Sequence, residues 1–393
     1  MDSPDVSLPA FAAAAVPPIT LRPGAVDDLP GLAARLAPGG RVLLVADRFL
    51  ALSGRAGRIA AALEAAGHAV TLEAGIAGEP GIGDIRRAHA HAQGAGLVVG
   101  IGGGSALDVA KSAAALAHGA DDPLSYACAA RPLPPSGAPR VLIPTTAGTG
   151  AESSSTAVFA GPDGRKLWIW GPETKASHIL LDPELTLSLP PALTAWCAMD
   201  AFVHAFEAAT NRHAHPGAQL YAHAAMAMIA RALPRAVDEG TDLAARTELL
   251  LAACYAGTAI DNCGCAVAHN ISHAMAGLAE VPHGLATALA FEATLPWLVE
   301  AGTPALAAAA AALGLSGPAA LPAAVTGLMD RAGIARRLPP ALAEAGAEAL
   351  AAAMRAPENA PMRLATAREL DDDAIDRFAA AMVALAAPVR QDA

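Results

Sequence analysis

Between residues 41 and 182 the chain alternates between two hydrophobic periodicities, and this restricts its fold more than any other feature. RVLLVAD at 41–47 reads as a strand and precedes an Ala-rich helical stretch over 55–66. AVTLEA at 69–74 is a second strand, followed by a helix over 83–94, and LVVGIG at 97–102 is a third, with helix from Ser105 onward. Short β-branched runs separated by helix-length segments need crossover connections, so they predict βαβ units and a parallel sheet covered on both faces. The Pro-rich loop RPLPPSGAPR at 131–140 leads into VLIPTT, and STAVFA, KLWIW and HILLD continue the strand-like texture to residue 182. After LSLPPAL at 187–193 helical periodicity dominates to the end of the chain. The expected division is an α/β part, 1–188, and an all-helical part, 189–393. Runs such as ALAAAAAAL at 305–313 are low in complexity, but alanine is the best helix former, and they read as close-packed helices.

Composition excludes several classes. With 26 basic against 37 acidic residues the formal charge is −11, and no basic tract is present, which argues against sequence-independent nucleic-acid binding. The 54% hydrophobic content is largely alanine, and no run of about 18 strongly apolar, uncharged residues stands out, so no membrane span is expected. MDSPDVSLPAFAAAAVPP at the N-terminus lacks the positive region of a secretory leader and carries two early aspartates. Five cysteines are few for 393 residues and suit reduced thiols in a cytoplasmic protein. Only three residues are lysines, Lys111, Lys166 and Lys175, which makes each one conspicuous.

Two segments have the chemistry of anion cradles. GIGGGSALDVAK at 100–111 sets Gly102, Gly103 and Gly104 between a strand end and a helix start, where backbone N–H groups approach an anion closely. Ser105 and Asp108 are spaced to cap that helix. A tight strand-to-helix turn accounts for the same residues, and the spacing is not G-x-G-x-x-G. PTTAGTGAE at 144–152 is a second such element, with Thr149 and Glu152 in a capping-box pattern. Two such turns after parallel strands fall on one sheet edge, where open α/β folds bind ligands. Asp47, closing the first strand, suits either an adenosine ribose or an ordinary helix N-cap.

The helical half holds the metal-type pattern. Asp200 and His204 in MDAFVHAFEA are four apart and share one helix face; His269 and His273 in AHNISHAM repeat the spacing, and His283 follows in VPHG. A carboxylate with two or three imidazoles suits Fe²⁺, Zn²⁺ or Ni²⁺ better than Mg²⁺ or Ca²⁺. His89 with His91 and His213 with His215 read as solvated. Cys263-x-Cys265 lies near His269 but has no second Cys pair to complete a structural zinc site. Trp168 and Trp170 alternate on a strand and read as packing residues.

GGGSALDVAK, PTTAGTGAE, LDPELTLSLPP, MDAFVHAFEA and AHNISHAMAGLAEVPHG together resemble the iron-dependent (group III) alcohol dehydrogenase family, from about residue 15 to the C-terminus and more weakly after 300. The resemblance implies a Rossmann-like dinucleotide-binding domain followed by a helical metal-binding domain, as in dehydroquinate synthase-like architectures. It implies Asp200, His204, His269 and His283 as ligands of Fe²⁺, with Zn²⁺ or another divalent metal possible. His273 matches a proton-relay histidine, and Gly103, Gly104 and Ser105 match the pyrophosphate loop. Thr145, Thr146 and Thr149 match phosphate and ribose contacts, Lys166 a contact on the nicotinamide-side ribose, and Asp47 the ribose ligand of NAD-preferring members, with NADP possible. A small alcohol or aldehyde substrate and a homodimer are likewise implied.

The chain also departs from the family pattern. Glu79 stands where several members have Asn, and DNCGCAVAHN is unusual and expected to line the substrate pocket. Maleylacetate reductases on this fold lose the Asp that is kept here as Asp200. A dehydroquinate synthase-like lyase needs cations for a phosphate-bearing substrate, yet no lysine follows Lys175. Metal-hydrolase chemistry lacks its H-E-x-x-H.

Overall fold

A computed structural model describes residues 10–386. Residues 1–9, which begin the segment read above for a leader, lie outside them. The strands are β1 (Ile19–Leu21), β2 (Arg41–Asp47), β3 (Ala69–Ile76), β4 (Leu97–Gly102), β5 (Arg140–Pro144), β6 (Thr156–Ala160), β7 (Lys166–Trp170) and β8 (His178–Leu181). Six form one parallel sheet in the order β1-β8-β5-β4-β2-β3. An all-helical half follows, so the fold is the α/β-plus-α arrangement expected.

Alternation along the strands builds the two faces. Val42, Leu44, Val99, Ile101, Val141 and Leu180 pack on one side against the helices Leu29–Leu36 and Arg55–Ala65. Leu43, Val45, Val98, Leu142 and Ile179 pack on the other, in a core continuous with the helical half. β4 and β5 are buried throughout, as central strands covered on both faces must be.

Two strand-like segments leave the sheet. β6 and β7 pair antiparallel as a separate hairpin, because the Gly161–Pro162–Asp163–Gly164 turn reverses the chain too tightly for a parallel crossover. β1 was not legible: three residues on a sheet edge carry no periodicity.

The strand order locates a binding edge. From β2 the chain moves outward to β3 on one side, returns past β2 to β4, and continues on that other side to β5. The carboxyl ends of β2 and β4 therefore flank a topological switch point, where connections diverge and leave a crevice. Gly102 pairs with Pro144 in the register of β4 with β5, so both glycine-rich turns leave this edge at one level.

Alanine lets the helices approach. Ala195, Ala198, Ala201, Ala205 and Ala208 on the helix Pro191–Thr210 are all buried, as are Ala252, Ala253, Ala256 and Ala259 on the helix Leu243–Cys263. The PTTAGTGAE turn packs straight onto both. A side chain at Gly148 would meet Cys197 Cα at 3.0 Å, and one at Gly150, whose φ is +60°, would meet Gly257 Cα at 2.4 Å. By length and composition one helix among the described residues, Leu243–Cys263, could cross a membrane, contrary to the expectation of none. Its apolar window has a mean hydropathy of 1.2 and is 61% buried inside the protein.

Candidate active site

A cleft of about 660 Å³ separates the sheet edge from the helical half. Gly104, Ser105 and Thr149 line it from the two glycine-rich turns, and His204, His269, His273, His283 and Cys265 line it from the helices. Gly103 is the N-cap of the helix Gly104–Ala115 and no side chain caps it, while Gly104 and Ser105 of its first turn line the cleft, the place where a helix N-terminus favours an anion. Any side chain at Gly104 would strike Thr149 at 2.7 Å, so the two turns interlock only because this residue is glycine. Thr145 N–H donates to Gly102 O at 2.9 Å, and the Thr146 side chain abuts Gly103.

Several local readings are corrected. Ser105 does not cap its helix, and Asp108 turns inward to accept from Val158 N–H at 3.0 Å. PTTAGTGAE starts no helix, so Thr149 and Glu152 form no capping box; Thr149 Oγ1 accepts from Ala151 N–H, and Glu152 is buried. Tertiary packing against Gly257 takes precedence over the local cap signal. Asp47 does cap a helix, Arg48–Leu52, accepting from Leu50 N–H at 2.8 Å, and also stands beside Gly102 at the switch point.

Asp200 and His204, one turn apart on Pro191–Thr210, meet His269 from the helix Val267–Ala276 and His283 from the start of His283–Val299. Asp200 Oδ1 is 3.6 Å from His269 Nε2 and 3.5 Å from His283 Nε2, and Asp200 Oδ2 is 3.8 Å from His204 Nδ1. The His204 and His269 rings stack at 4.3 Å. Asp200 Oδ1, His204 Nδ1 and His269 Nε2 are buried with no hydrogen-bond partner among the described residues. Three orphaned donor atoms at one point are costly unless something electropositive binds them, and one carboxylate with imidazoles is the donor set of a borderline divalent ion.

The surroundings prepare these groups for that ion. His269 Nδ1 donates to Glu207 Oε2 at 2.7 Å, which leaves Nε2 to present its lone pair. His283 Nδ1 lies 2.9 Å from Ser272 Oγ, which accepts from Thr287 Oγ1 at 3.0 Å. Burial holds His204 down at about 4. Burial, with Lys166 nearby, holds His273 and His283 well below the usual histidine range, so these rings are neutral at pH 7. Burial opposes ionisation of Asp200, but the histidines gathered around it keep its carboxyl below the usual range. Burial also works against charge on His269, but Glu207 and Asp200 lift it to about 9, so without an ion Nε2 carries a proton that a bound ion would displace. The His273 ring centroid lies 5.6 Å from that of His283. Lys166 Nζ reaches both Glu79 Oε1, at 2.8 Å, and His283 Nδ1, at 3.4 Å.

Burial pushes Glu152 up to about 7 and Asp108, on the cleft wall, up to about 6, in spite of the neighbouring Lys111. A carboxyl whose folded pKa exceeds its unfolded value contributes stability below about pH 4 and loses it as pH rises through the folded value. Between pH 5 and pH 8 Glu152 should therefore weaken the fold by on the order of 2 kcal/mol. Glu152→Gln is expected to flatten that decline, as read from denaturant midpoints at the two pH values; an unchanged slope would count against it.

The profile described as "Iron-containing alcohol dehydrogenase" matches residues 17–183, and that described as "Fe-containing alcohol dehydrogenase family, C-terminal" matches residues 194–381. The chain belongs to the iron-containing alcohol dehydrogenase family. As a member it is an oxidoreductase. It is 37% identical over 278 residues to the probable alcohol dehydrogenase EutG of Escherichia coli K12, covering 70% of each chain. Its structure resembles sulfoacetaldehyde reductase from Bifidobacterium kashiwanohense in complex with NAD+, with a TM-score of 0.85, 26% identity, and coverage of 96% of this chain and 99% of that one. It also resembles a 1,3-propanediol oxidoreductase, with a TM-score of 0.83 and 27% identity over 95% of this chain and 100% of the other.

Within this family member the sequence reading missed Glu207. It sits seven residues after Asp200 on the same helix, and that i, i+4, i+7 spacing was the available signal. Glu207 is 1% exposed and accepts from Ala266 N–H, Ala268 N–H and His269 Nδ1–H. Ser272, three residues after His269, was missed for the same reason. His215 is not solvated as expected: it is buried, caps the helix Pro216–Asp238 and stacks on Phe11 at 4.5 Å. His89 is half-buried, with Nε2 3.0 Å from Leu116 O and Gly119 O, whereas His91 and His213 are exposed. Trp168 and Trp170, read as packing residues, both line the cleft, as do Asp261, Asn262, Gly264 and Cys265 of the unusual segment before His269.

Proposed function

We propose that the cleft performs reversible hydride transfer between a small alcohol or aldehyde and NAD, with Asp200, His204, His269 and His283 holding Fe²⁺. The observation that carries this reading is the convergence of three buried, unpartnered donor atoms on a cleft whose opposite wall is a pair of glycine-rich turns. When bound, the ion supplies Lewis acidity that favours the alkoxide form of an alcohol. Backbone N–H groups at Gly103, Gly104 and Ser105 bind the pyrophosphate, and Thr145, Thr146 and Thr149 orient the phosphate and ribose beside it. Lys166 holds the nicotinamide-side ribose, placing that end of the cofactor next to His283. A ring nitrogen of His273, kept neutral by burial and Lys166, takes the hydroxyl proton toward solvent. The hydride chemistry belongs to the cofactor; the chain's part is to position it and exclude water.

Residues 1–188 form the cofactor domain in this reading and 189–393 the metal domain. A homodimer and a cytoplasmic setting complete it, the latter supported by five free cysteines. Zn²⁺ in place of Fe²⁺ fits the same donors. A maleylacetate reductase-like activity is disfavoured by the retained Asp200. A dehydroquinate synthase-like lyase is disfavoured by the cleft wall, where Lys166 is the only Lys or Arg among the described residues.

The test is NADH absorbance with a panel of primary and secondary alcohols and their aldehydes, on protein reconstituted anaerobically with Fe²⁺ or Zn²⁺. Absence of turnover with every pair would overturn the reading. Cofactor choice rests on Asp47, whose charge repels a 2′-phosphate. Asp47→Gly is expected to shift the NADP-to-NAD ratio of kcat/KM by about tenfold or more, matching ~1.4 kcal/mol of relieved repulsion. Glycine is tolerated at an N-cap at a cost of a few tenths of a kcal/mol, so stability should barely change. An unaltered ratio would remove Asp47 from the ribose site.

A further inference from the structure

The metal-type donors fall into two overlapping triads that share His269. Asp200, His269 and His283 form one; His204, Cys265 and His269 form the other, with all donor atoms of each triad within 4.8 Å of one another. Both histidines of the second triad have a ring nitrogen that is buried and unpartnered among the described residues, His204 Nδ1 and His269 Nε2. Cys265 brings its sulfur to them from the cleft side, where a substrate oxygen must also approach.

The placement of Cys265 is fixed by its neighbours. Gly264, with φ at +73°, ends the helix Leu243–Cys263 and turns the chain inward, and Asn211 Nδ2 donates to both Cys263 O and Gly264 O at 3.0 Å. On the other side Glu207 grips Ala266 N–H and Ala268 N–H, each at 2.7 Å. These contacts split the Cys263-x-Cys265 pair. Cys263 Sγ points away and donates to His213 O at 3.2 Å, whereas Cys265 faces the histidines.

We propose that Cys265 is a switchable ligand of the metal centre, its sulfur occupying the coordination position that the substrate oxygen needs. This rests on the metal-site reading above. On ligation the S–H bond breaks, its proton leaves to solvent, and a sulfur lone pair replaces one water in the ion's shell; entry of the alcohol reverses the exchange, with no change of oxidation state. A soft thiolate favours Zn²⁺ over Fe²⁺, whereas an aspartate-and-histidine set accepts both. Cys265 thus biases a zinc-loaded centre toward a closed state that excludes substrate and leaves an iron-loaded centre open.

Cobalt reports the ligand directly. Full-length protein loaded with one equivalent of Co²⁺ should show d–d absorption and, beside it, a thiolate-to-cobalt charge-transfer band in the near ultraviolet. Cys265→Ser and Cys265→Ala should keep the d–d bands and lose the charge-transfer band. Adding NAD with trifluoroethanol, an alcohol that resists oxidation, should weaken the band in the unsubstituted protein. Competition between Zn²⁺ and Fe²⁺ should shift toward iron in Cys265→Ser by at least about tenfold, the scale on which even outer-shell partners act. Stoichiometric d–d absorption without a charge-transfer band in the unsubstituted protein overturns this proposal and leaves the four-residue site standing. A band that survives in Cys265→Ser also overturns it. If no Co²⁺ binds at all, the metal-site reading fails and takes this inference with it. The unsubstituted spectrum decides the matter even if a variant does not fold.

Discussion

Asp200→Ala is expected to release the metal and lower kcat/KM by on the order of 10³-fold or more, the several kcal/mol that a Lewis acid contributes at about 1.4 kcal/mol per decade. Asp200 provides the only carboxylate in the two triads, and Oδ1 faces both His269 and His283. Without it the four-residue set keeps imidazoles alone and loses the carboxylate charge that offsets a divalent ion. Metal content by elemental analysis and NADH-linked turnover check this together. Full metal content with full turnover would remove Asp200 from the centre. The fold should survive, because alanine suits this helix and the side chain makes no hydrogen bond to the backbone.

Glu207→Ala should show the opposite pattern, a loss of stability with metal affinity falling as a consequence. The carboxylate accepts three hydrogen bonds at 2.7 Å in a buried setting, two from backbone N–H groups and one from His269. Removing it strands three donors, each at about 1–3 kcal/mol, so a total destabilisation of about 3–5 kcal/mol is expected. His269 is then free to turn, and affinity for Zn²⁺ or Fe²⁺ should drop by about 10–100-fold. Thermal unfolding of the metal-free protein isolates the first effect and metal titration the second. An unchanged unfolding temperature would show that solvent replaces Glu207 at no cost.

Motifs that depend on local spacing were legible in the chain. D-x-x-x-H marks one helix face wherever that helix lies, and the strand–glycine–helix order of LVVGIGGGS marks a sheet-edge turn. Where a neighbour distant in sequence intervened, the local signal misled. Thr149 and Glu152 have the spacing of a capping box, yet Gly150 packs on Gly257, more than a hundred residues later, and the turn never becomes helix. His215 looked solvated because its partner, Phe11, lies two hundred residues earlier. Glu207 read as one more charge on an alanine-rich helix, since its worth depends on the backbone of residues 266–268 being brought to it.

The sequence by itself determined the class of fold, the family, and which residue types carry the chemistry, because periodicity and short spacings are set by helix and strand geometry alone. Tertiary structure decided how those residues meet. It brought helices from three stretches of chain to one point, stripped three donor atoms of partners, and placed the clamp of Glu207 behind His269. It also turned one thiol of a Cys-x-Cys pair toward the histidines and the other away. The physical reason is range: a spacing of four residues is a local fact, whereas burial, an unsatisfied lone pair and a shared ligand position exist only once distant segments have packed.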